Sequence, residues 1–204
     1  MRFRHTSKRE DLKAYGTGHI VETPVSWRAG VIFASPHSGS LYPADLLKRS
    51  KLSAHKLRRN EDIFVDQLFQ GVVEAGAPLI KALFPRAVVD VNRAATELPD
   101  QWANLLAIKG PLTARAAAGL GVVPTHLTES LPIYTRKPSE KEVKQRLTKL
   151  YHPYHDALAN LIDQAKFRFG RALLVDCHSM PGFAPMGSRR PDICLLYTSP
   201  SPRD

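Results

Sequence analysis

Cysteine is scarce: Cys177 and Cys194 are the only two in 204 residues, and neither belongs to a C-x-x-C pair. That argues against a disulfide-stapled scaffold and a thiolate zinc site. No stretch approaches the roughly 20 apolar residues that a membrane-spanning helix needs. The charged start, Met1 to Arg9, is not followed by an apolar stretch, so no secretory signal is read. Internal repeats and low-complexity blocks are also missing before residue 194. What is there, 43% apolar and 24% charged residues, is ordinary for a soluble globular chain of one domain. A reducing, cytoplasmic setting and no membrane partner are the expectation.

The balance of charge is one-sided, with a formal net charge of +10. Aromatic residues do not interleave the basic ones, as a single-strand nucleic-acid face would require. The basic residues are scattered, with short pairs at Lys8-Arg9, Lys48-Arg49, Arg58-Arg59 and Arg189-Arg190. A solvated basic surface with no nucleic-acid partner is the preferred reading, and its field would draw in a small anionic substrate. A basic nucleic-acid-binding protein stands as the alternative from another class. It predicts salt-sensitive binding that survives His37→Ala.

The final residues, Cys194 to Asp204, do not read like the rest. Pro191-Asp192-Ile193 begins like a strand and runs into Ser199-Pro200-Ser201-Pro202 with no packing face. The string resembles the in-frame translation of a transposase adapter used in sequencing libraries. The expectation is one incomplete domain over residues 1–193 and a non-native tail over 194–204. A natural disordered tail is the alternative.

Hydrophobic periodicity divides the body of the chain. Residues 1–25 read as an irregular polar lead-in, Val31–Ser35 as a buried strand, and Leu79–Leu83 and Arg86–Val91 as further strands. A helix is expected from about residues 60–62, burying Phe64, Leu68 and Val72 at i, i+4 and i+8. Gly76 and Pro78 should stop it. A shorter helical piece is expected near Ala114–Ala118. Ser139-Glu140-Lys141-Glu142 is a capping box. It opens a helix whose apolar face is Val143, Leu147, Leu150, Tyr154, Leu158, Leu161 and Ala165. Pro153 should kink that helix, Gly170 should end it, and Ala172–Val175 reads as another buried strand. Strands alternating with helices imply an α/β three-layer sandwich around a mixed, largely parallel sheet.

Two histidines stand directly after these apolar strands: His37 after Val31–Ser35, and His178 after Ala172–Val175. In open α/β sheets ligands bind beyond the carboxyl ends of strands. Two imidazoles delivered there with carboxylates near by suggest a metal site, although a single such histidine is more often a hydrogen-bonded rim residue. Glu61 and Asp62 are acidic candidates, with Asp66 a turn further on. From spacing alone, helix capping is the better reading of Asp62. Asp90 and Asn92 would share one face of a strand. A buried carboxylate there needs a partner, and the N–H of a metal-binding histidine is a natural one for Asp90. Asp176 and His178 repeat this i, i+2 logic. Arg93 could grip a substrate carboxylate, with a structural ion pair as the alternative. His152 and His155 are spaced to meet but read better as a surface pair. Cys177 should face the core.

Pro36-His37-Ser38-Gly39, Asn60-Glu61-Asp62, Phe84-Pro85-Arg86, Asp90-Val91-Asn92-Arg93, Tyr151-His152-Pro153-Tyr154-His155 and Asp176-Cys177-His178-Ser179 occur in one order. The ordered set resembles the N-formylglutamate amidohydrolases, over about Val31 to Ile193. The family resembles zinc carboxypeptidases in fold. The resemblance implies Zn2+, or another divalent metal, held by His37, Asp62 and His178, with Glu61 as the rival acidic ligand. It implies Asn92 and Arg93 as binders of a substrate carboxylate, with Arg86 a weaker candidate and Tyr154 and His155 near the pocket. The implied reaction is hydrolysis of a small anionic N-acyl amino acid, N-formyl-L-glutamate to formate and L-glutamate. Another N-acyl amino acid deacylase or a carboxypeptidase-like hydrolase is the alternative. The family's general-base carboxylate has no counterpart here. It would fall beyond the point where the tail begins, so little or no activity is expected of the 204 residues.

Overall fold

The seven apolar positions from Val143 to Ala165 are all buried, and the helical face they form is the main wall of the core. A computed structural model describes residues 16, 18–107, 110, 112–183 and 187–196. Ser139 caps helix α7 (Glu140–Arg146) with the reciprocal Glu142 contact of a capping box. A π-helical turn (Leu147–Tyr151) then leads into α8 (His152–Phe169), where Pro153 sits in the first turn. A proline lacks an N–H and crowds the carbonyl four residues back. The chain accommodates it by widening the preceding turn, and the buried face continues across the join. Gly170, at φ +70°, ends α8.

That helix packs on a four-stranded sheet in the order β1 (His19–Glu22), β3 (Leu79–Ala82), β2 (Val31–Ser35), β6 (Leu173–Asp176). The pairings of β2 with β3 and of β2 with β6 are parallel, while β1 runs antiparallel to β3. The fold is therefore mixed α/β with a mostly parallel sheet. A strand within residues 1–25 is a departure from the expected irregular lead-in. Its four-residue ladder on β3 is a tertiary pairing that a short polar stretch does not advertise.

Three further expectations are corrected. Arg86–Val91 is not a strand but a succession of turns. The Asp90 carboxylate accepts from the Asn92 amide and pairs with Arg86, so local side-chain bonds replace a ladder there. The helix expected after residue 60 is two four-residue helices, α3 (Val65–Leu68) and α4 (Gly71–Glu74). Phe64, left-handed at φ +67°, keeps α3 from starting earlier, and Phe64 and Leu68 face solvent. Finally, β6 is not buried: it is the sheet's edge, with Leu173 59% exposed.

Four more helices, α1 (Ala44–Arg49), α2 (Ala54–Arg58), α5 (Asp100–Leu105) and α6 (Ala114–Ala117), and a hairpin of β4 (His126–Thr128) and β5 (Leu131–Pro132) complete the described chain. No helix among the described residues is long and apolar enough to cross a membrane.

Candidate metal centre and anion cleft

Strands β2 and β6 are adjacent and parallel, with Ala34 opposite Asp176. The Cys177 amide continues the ladder by donating to the Ala34 carbonyl at 2.8 Å. Each strand releases its histidine two residues past its end. The result is a pair of imidazoles whose ring centroids lie 4.9 Å apart. Gly39 allows the turn after His37 to lie against the Phe84 backbone, where a Cβ would collide with it. Cys177 is buried, as expected of a residue between two outward-facing ones.

Asp62 joins the two histidines from the loop ahead of α3. Its amide donates to the His37 carbonyl at 3.0 Å, which ties that loop to the end of β2. Its carboxylate does not cap a helix. Oδ2 accepts from His178 Nδ1 at 2.9 Å and lies 3.4 Å from His37 Nδ1, and Oδ1 accepts from the Ser179 hydroxyl at 2.7 Å. One ligand atom from each of His37, Asp62 and His178 lies within 4.8 Å of the others. Glu61 turns the other way, accepting from the Tyr42 hydroxyl at 2.5 Å and from Arg58 Nε at 3.0 Å.

The carboxylates set the polarity of the group. His37 Nε2 donates to Asp90 Oδ1 at 2.8 Å. In the neutral ring that leaves a lone pair on Nδ1, a buried atom without a hydrogen-bond partner that faces Asp62. His178 is held between Asp62 and Asp176, whose Oδ2 lies 2.9 Å from Nε2. Burial disfavours its charge, but hydrogen bonds to Asp176 and Asp62 and their negative charges outweigh that and push its pKa up to about 9. Burial acts to raise Asp62, yet hydrogen bonds from His178 and Ser179, with the His37 imidazole close by, hold it well below the usual carboxylate range. Asp90 is held low in the same way against its burial, by His37 and Arg86.

A divalent cation fits this donor set. Two imidazole nitrogens and one carboxylate are a common catalytic zinc complement, and metal bonds of 2.0–2.2 Å separate tetrahedral ligands by about 3.3–3.5 Å. With Nε2 given to Asp90, the unpartnered His37 Nδ1 lies 3.4 Å from the Asp62 carboxylate, a separation that a cation shared between them would fit.

Beside the group lies a cleft of about 360 Å³, lined by Asn60, Arg86, Asp90, Arg93, Arg115 and His126 among others. Asp90 belongs to both, bracing His37 on one side and facing the arginines on the other. Arg86 is committed to Asp90 at 2.6 Å, whereas Arg93 Nε is 3.7 Å from it and has no hydrogen-bond partner. Burial pulls the Arg93 pKa down; Asp90 and Glu97 oppose this, and Arg115 and Arg86 add to it. Asn92 is exposed, its Nδ2 3.1 Å from His178 Nε2.

The structure does not bring His155 into the cleft. Its Nε2 donates to the Val91 carbonyl at 2.9 Å and its ring lies 4.3 Å from that of Tyr151, so it supports the Asp90–Arg93 loop from behind. Tyr154 is a core residue, its pKa raised by burial. His152 is exposed, and neither it nor His155 belongs to a group of three or more metal-ligating side chains among the described residues. Three residues with no assigned role in the sequence reading emerge here. Ser179 could have been suspected from its place beside His178. Arg115 and His126 carry no motif, and only the folding of residues 113–128 puts them at the cleft.

The sequence model of the N-formylglutamate amidohydrolase family matches residues 29–201. The N-formylglutamate deformylase of Pseudomonas putida is 30% identical over 160 residues, 78% of this chain and 54% of that protein. The Pseudomonas aeruginosa N-formylglutamate deformylase is 28% identical over 173 residues, 82% of this chain and 59% of that protein. The chain thus spans little more than half the length of these curated relatives. The crystal structure of N-formylglutamate amidohydrolase from Ralstonia eutropha matches with a TM-score of 0.71 at 31% identity, over 81% of this chain and 59% of that one. A gene product of Agrobacterium tumefaciens, 22% identical with a TM-score of 0.61, shares the fold.

Proposed function

Because this chain belongs to the N-formylglutamate amidohydrolase family, we propose that it carries the metal-binding and substrate-anchoring part of a zinc-dependent amidohydrolase. The proposed substrate is an N-acyl amino acid, N-formyl-L-glutamate foremost, hydrolysed to formate and L-glutamate. The observation that carries this reading is the convergence of His37, Asp62 and His178 beside a cleft rich in arginine, with Asp90 shared between the two.

His37, Asp62 and His178 would hold the cation, His37 through Nδ1 because Nε2 is given to Asp90. When bound, a divalent cation there supplies electrophilic polarisation of the acyl carbonyl and acidifies water. Asp90 fixes the tautomer and direction of the His37 ring, and Asp176 does the same for His178. Arg93 binds the substrate α-carboxylate, since it lines the cleft and stands 3.7 Å from Asp90 rather than being closely paired with it as Arg86 is. Asn92 assists from the rim. Arg86, occupied by Asp90, contributes field more than contact.

A carboxylate base must take the proton from water and return it to the leaving amine. Among the described residues the carboxylates at the metal group are engaged: Asp62, Asp90 and Asp176 by histidines, Glu61 by Tyr42 and Arg58. We place the base in the part of the relatives' length that this chain does not span. The proposed compartment is the cytoplasm, where the free thiols of Cys177 and Cys194 would stay reduced.

Two measurements test the reading. Purified protein reconstituted with zinc and dialysed should retain about one equivalent, lost in His37→Ala and His178→Ala. Formate release from N-formylglutamate should be near background for the 204 residues and appear in a version extended to the relatives' length. Equal rates from the two would refute the placement of the base, and no zinc retention would refute the metal centre.

A further inference from the structure

The cleft carries a net positive charge that is unevenly answered by the residues around it. Arg86 is neutralised by Asp90 at 2.6 Å, and Arg93 lies 3.7 Å from the same carboxylate, which is already shared with His37. Arg115 makes no ion pair among the described residues and adds to the unfavourable field at Arg93. Asp90 and Glu129 are the acidic residues on the cleft wall, against three arginines. Like charges gathered in a concave site are costly unless an anion fills it, and one α-carboxylate on Arg93 leaves Arg115 unanswered.

The chain takes some trouble to bring Arg115 there. Thr113 caps α6, accepting from the Ala116 amide at 3.1 Å. The Gly119 carbonyl then accepts from both the Thr125 and His126 amides, folding residues 114–126 into one closed loop. Gly119 stands at φ +77°, and a Cβ there would strike the His126 ring and the Thr125 hydroxyl. The Asp90 amide donates to the Val122 carbonyl at 2.8 Å, so the loop is registered against the segment that carries Arg93. His126 Nδ1 sits 2.9 Å from the Thr125 hydroxyl. With that hydroxyl donating, Nε2 carries the hydrogen and is a donor without needing a charge.

We infer that Arg115 and His126 form a second anion subsite in this cleft, which takes the side-chain carboxylate of a dicarboxylic N-acyl amino acid. The inference rests on the proposed N-acyl amino acid reading and deepens it: Arg93 reads the carboxylate that every such substrate has, and Arg115 decides which side chain is accepted. Arg115 is exposed, so its planar fork can close on a ligand without leaving a buried guanidinium when the site is empty. A volume of about 360 Å³ is ample for a small dianion.

The test is calorimetric titration of the zinc-loaded 204-residue protein with two matched pairs: glutarate against butyrate, and N-formylglutamate against N-formylglutamine. The dianion of each pair should bind about tenfold or more tightly than its partner. Arg115→Gln should abolish that preference while leaving the monoanions unchanged, Arg115→Lys should restore part of it, and His126→Ala should reduce it. Circular dichroism checks that each variant is folded. A preference for glutarate without binding of N-formylglutamate would leave the subsite standing and sink the N-formyl reading. N-formylglutamate bound no better than N-formylglutamine, or Arg115→Gln weakening mono- and dianions alike, would overturn the subsite and leave the amidohydrolase reading intact.

Discussion

The ends of β2 and β6 deliver the same residue to the same place by opposite means. His37, 2% exposed, follows a strand flanked on both sides and is braced by Asp90, which is itself buried. His178 follows an edge strand, its side chain a third exposed, and is held between Asp62 and Asp176. The first half of the candidate metal group is built by packing around a buried carboxylate, the second by charge at the sheet's edge. A packed half keeps its geometry whatever occupies the site. A half held by charge depends on proton and cation together.

The most severe way to break this contrast is at Asp90. Asp90→Ala strands Arg86 and His37 without their counter-charge, and breaking a buried pair from one side costs about 3–5 kcal/mol. Chemical denaturation should show that loss, whereas Asp176→Ala, at a more exposed position and with Asp62 still paired to His178, should cost clearly less. Equal losses at the two sites would remove the distinction.

Next in size is the strand itself. Ile32→Ala on β2 removes a fully buried side chain and should cost about 2–5 kcal/mol. Leu173→Ala, its register partner's neighbour on β6 at 59% exposure, should stay within about 0.5 kcal/mol. Denaturant titration of the pair measures the asymmetry directly.

Acidity sharpens the comparison further. His178, raised from 6.5 to about 9, stabilises the metal-free fold fully below about pH 6.5, and that contribution is lost as pH rises through about 9. Asp62 and Asp90 are shifted the other way. Their contributions are present above the ordinary 3.8 and are lost as pH falls below it. The metal-free protein should therefore be most stable between about pH 4 and 6.5, as thermal melts across pH would show. A bound cation must displace the His178 proton, so about one proton should be released per zinc at pH 7. Titration in buffers of different ionisation enthalpy reads that number.

The smallest expected effect concerns Asp176. Asp176→Asn removes one of two carboxylates that raise His178 and should lower its pKa, which proton NMR of the imidazole can follow. Zinc affinity at neutral pH should fall by about tenfold, in contrast to the loss of retention with His37→Ala.

Much of the scaffold was legible in the residues. The face from Val143 to Ala165, the capping box at Ser139 and the strands at Val31 and Leu79 all follow from local periodicity and local hydrogen bonding. The errors fall where side chains override the backbone's own preference. Asp90 gathers Arg86, His37 and the Asn92 amide and so turns a strand-like sequence into a loop. Phe64 and Leu68 are helix-spaced yet exposed, because Asp62 is pulled to His37 and His178 and the helix starts late.

By itself the sequence determined which segments would be helix and strand along the main core, and that two histidines would emerge at strand ends. Only the tertiary structure decided that Asp62 rather than Glu61 faces those histidines, that Asp90 braces His37, and that Arg115 and His126 meet Arg93 at one cleft. The reason is one of range. Periodicity is set by neighbours within a turn or two, whereas the partner of a carboxylate is set by contacts such as Asp62 with His178, 116 residues apart.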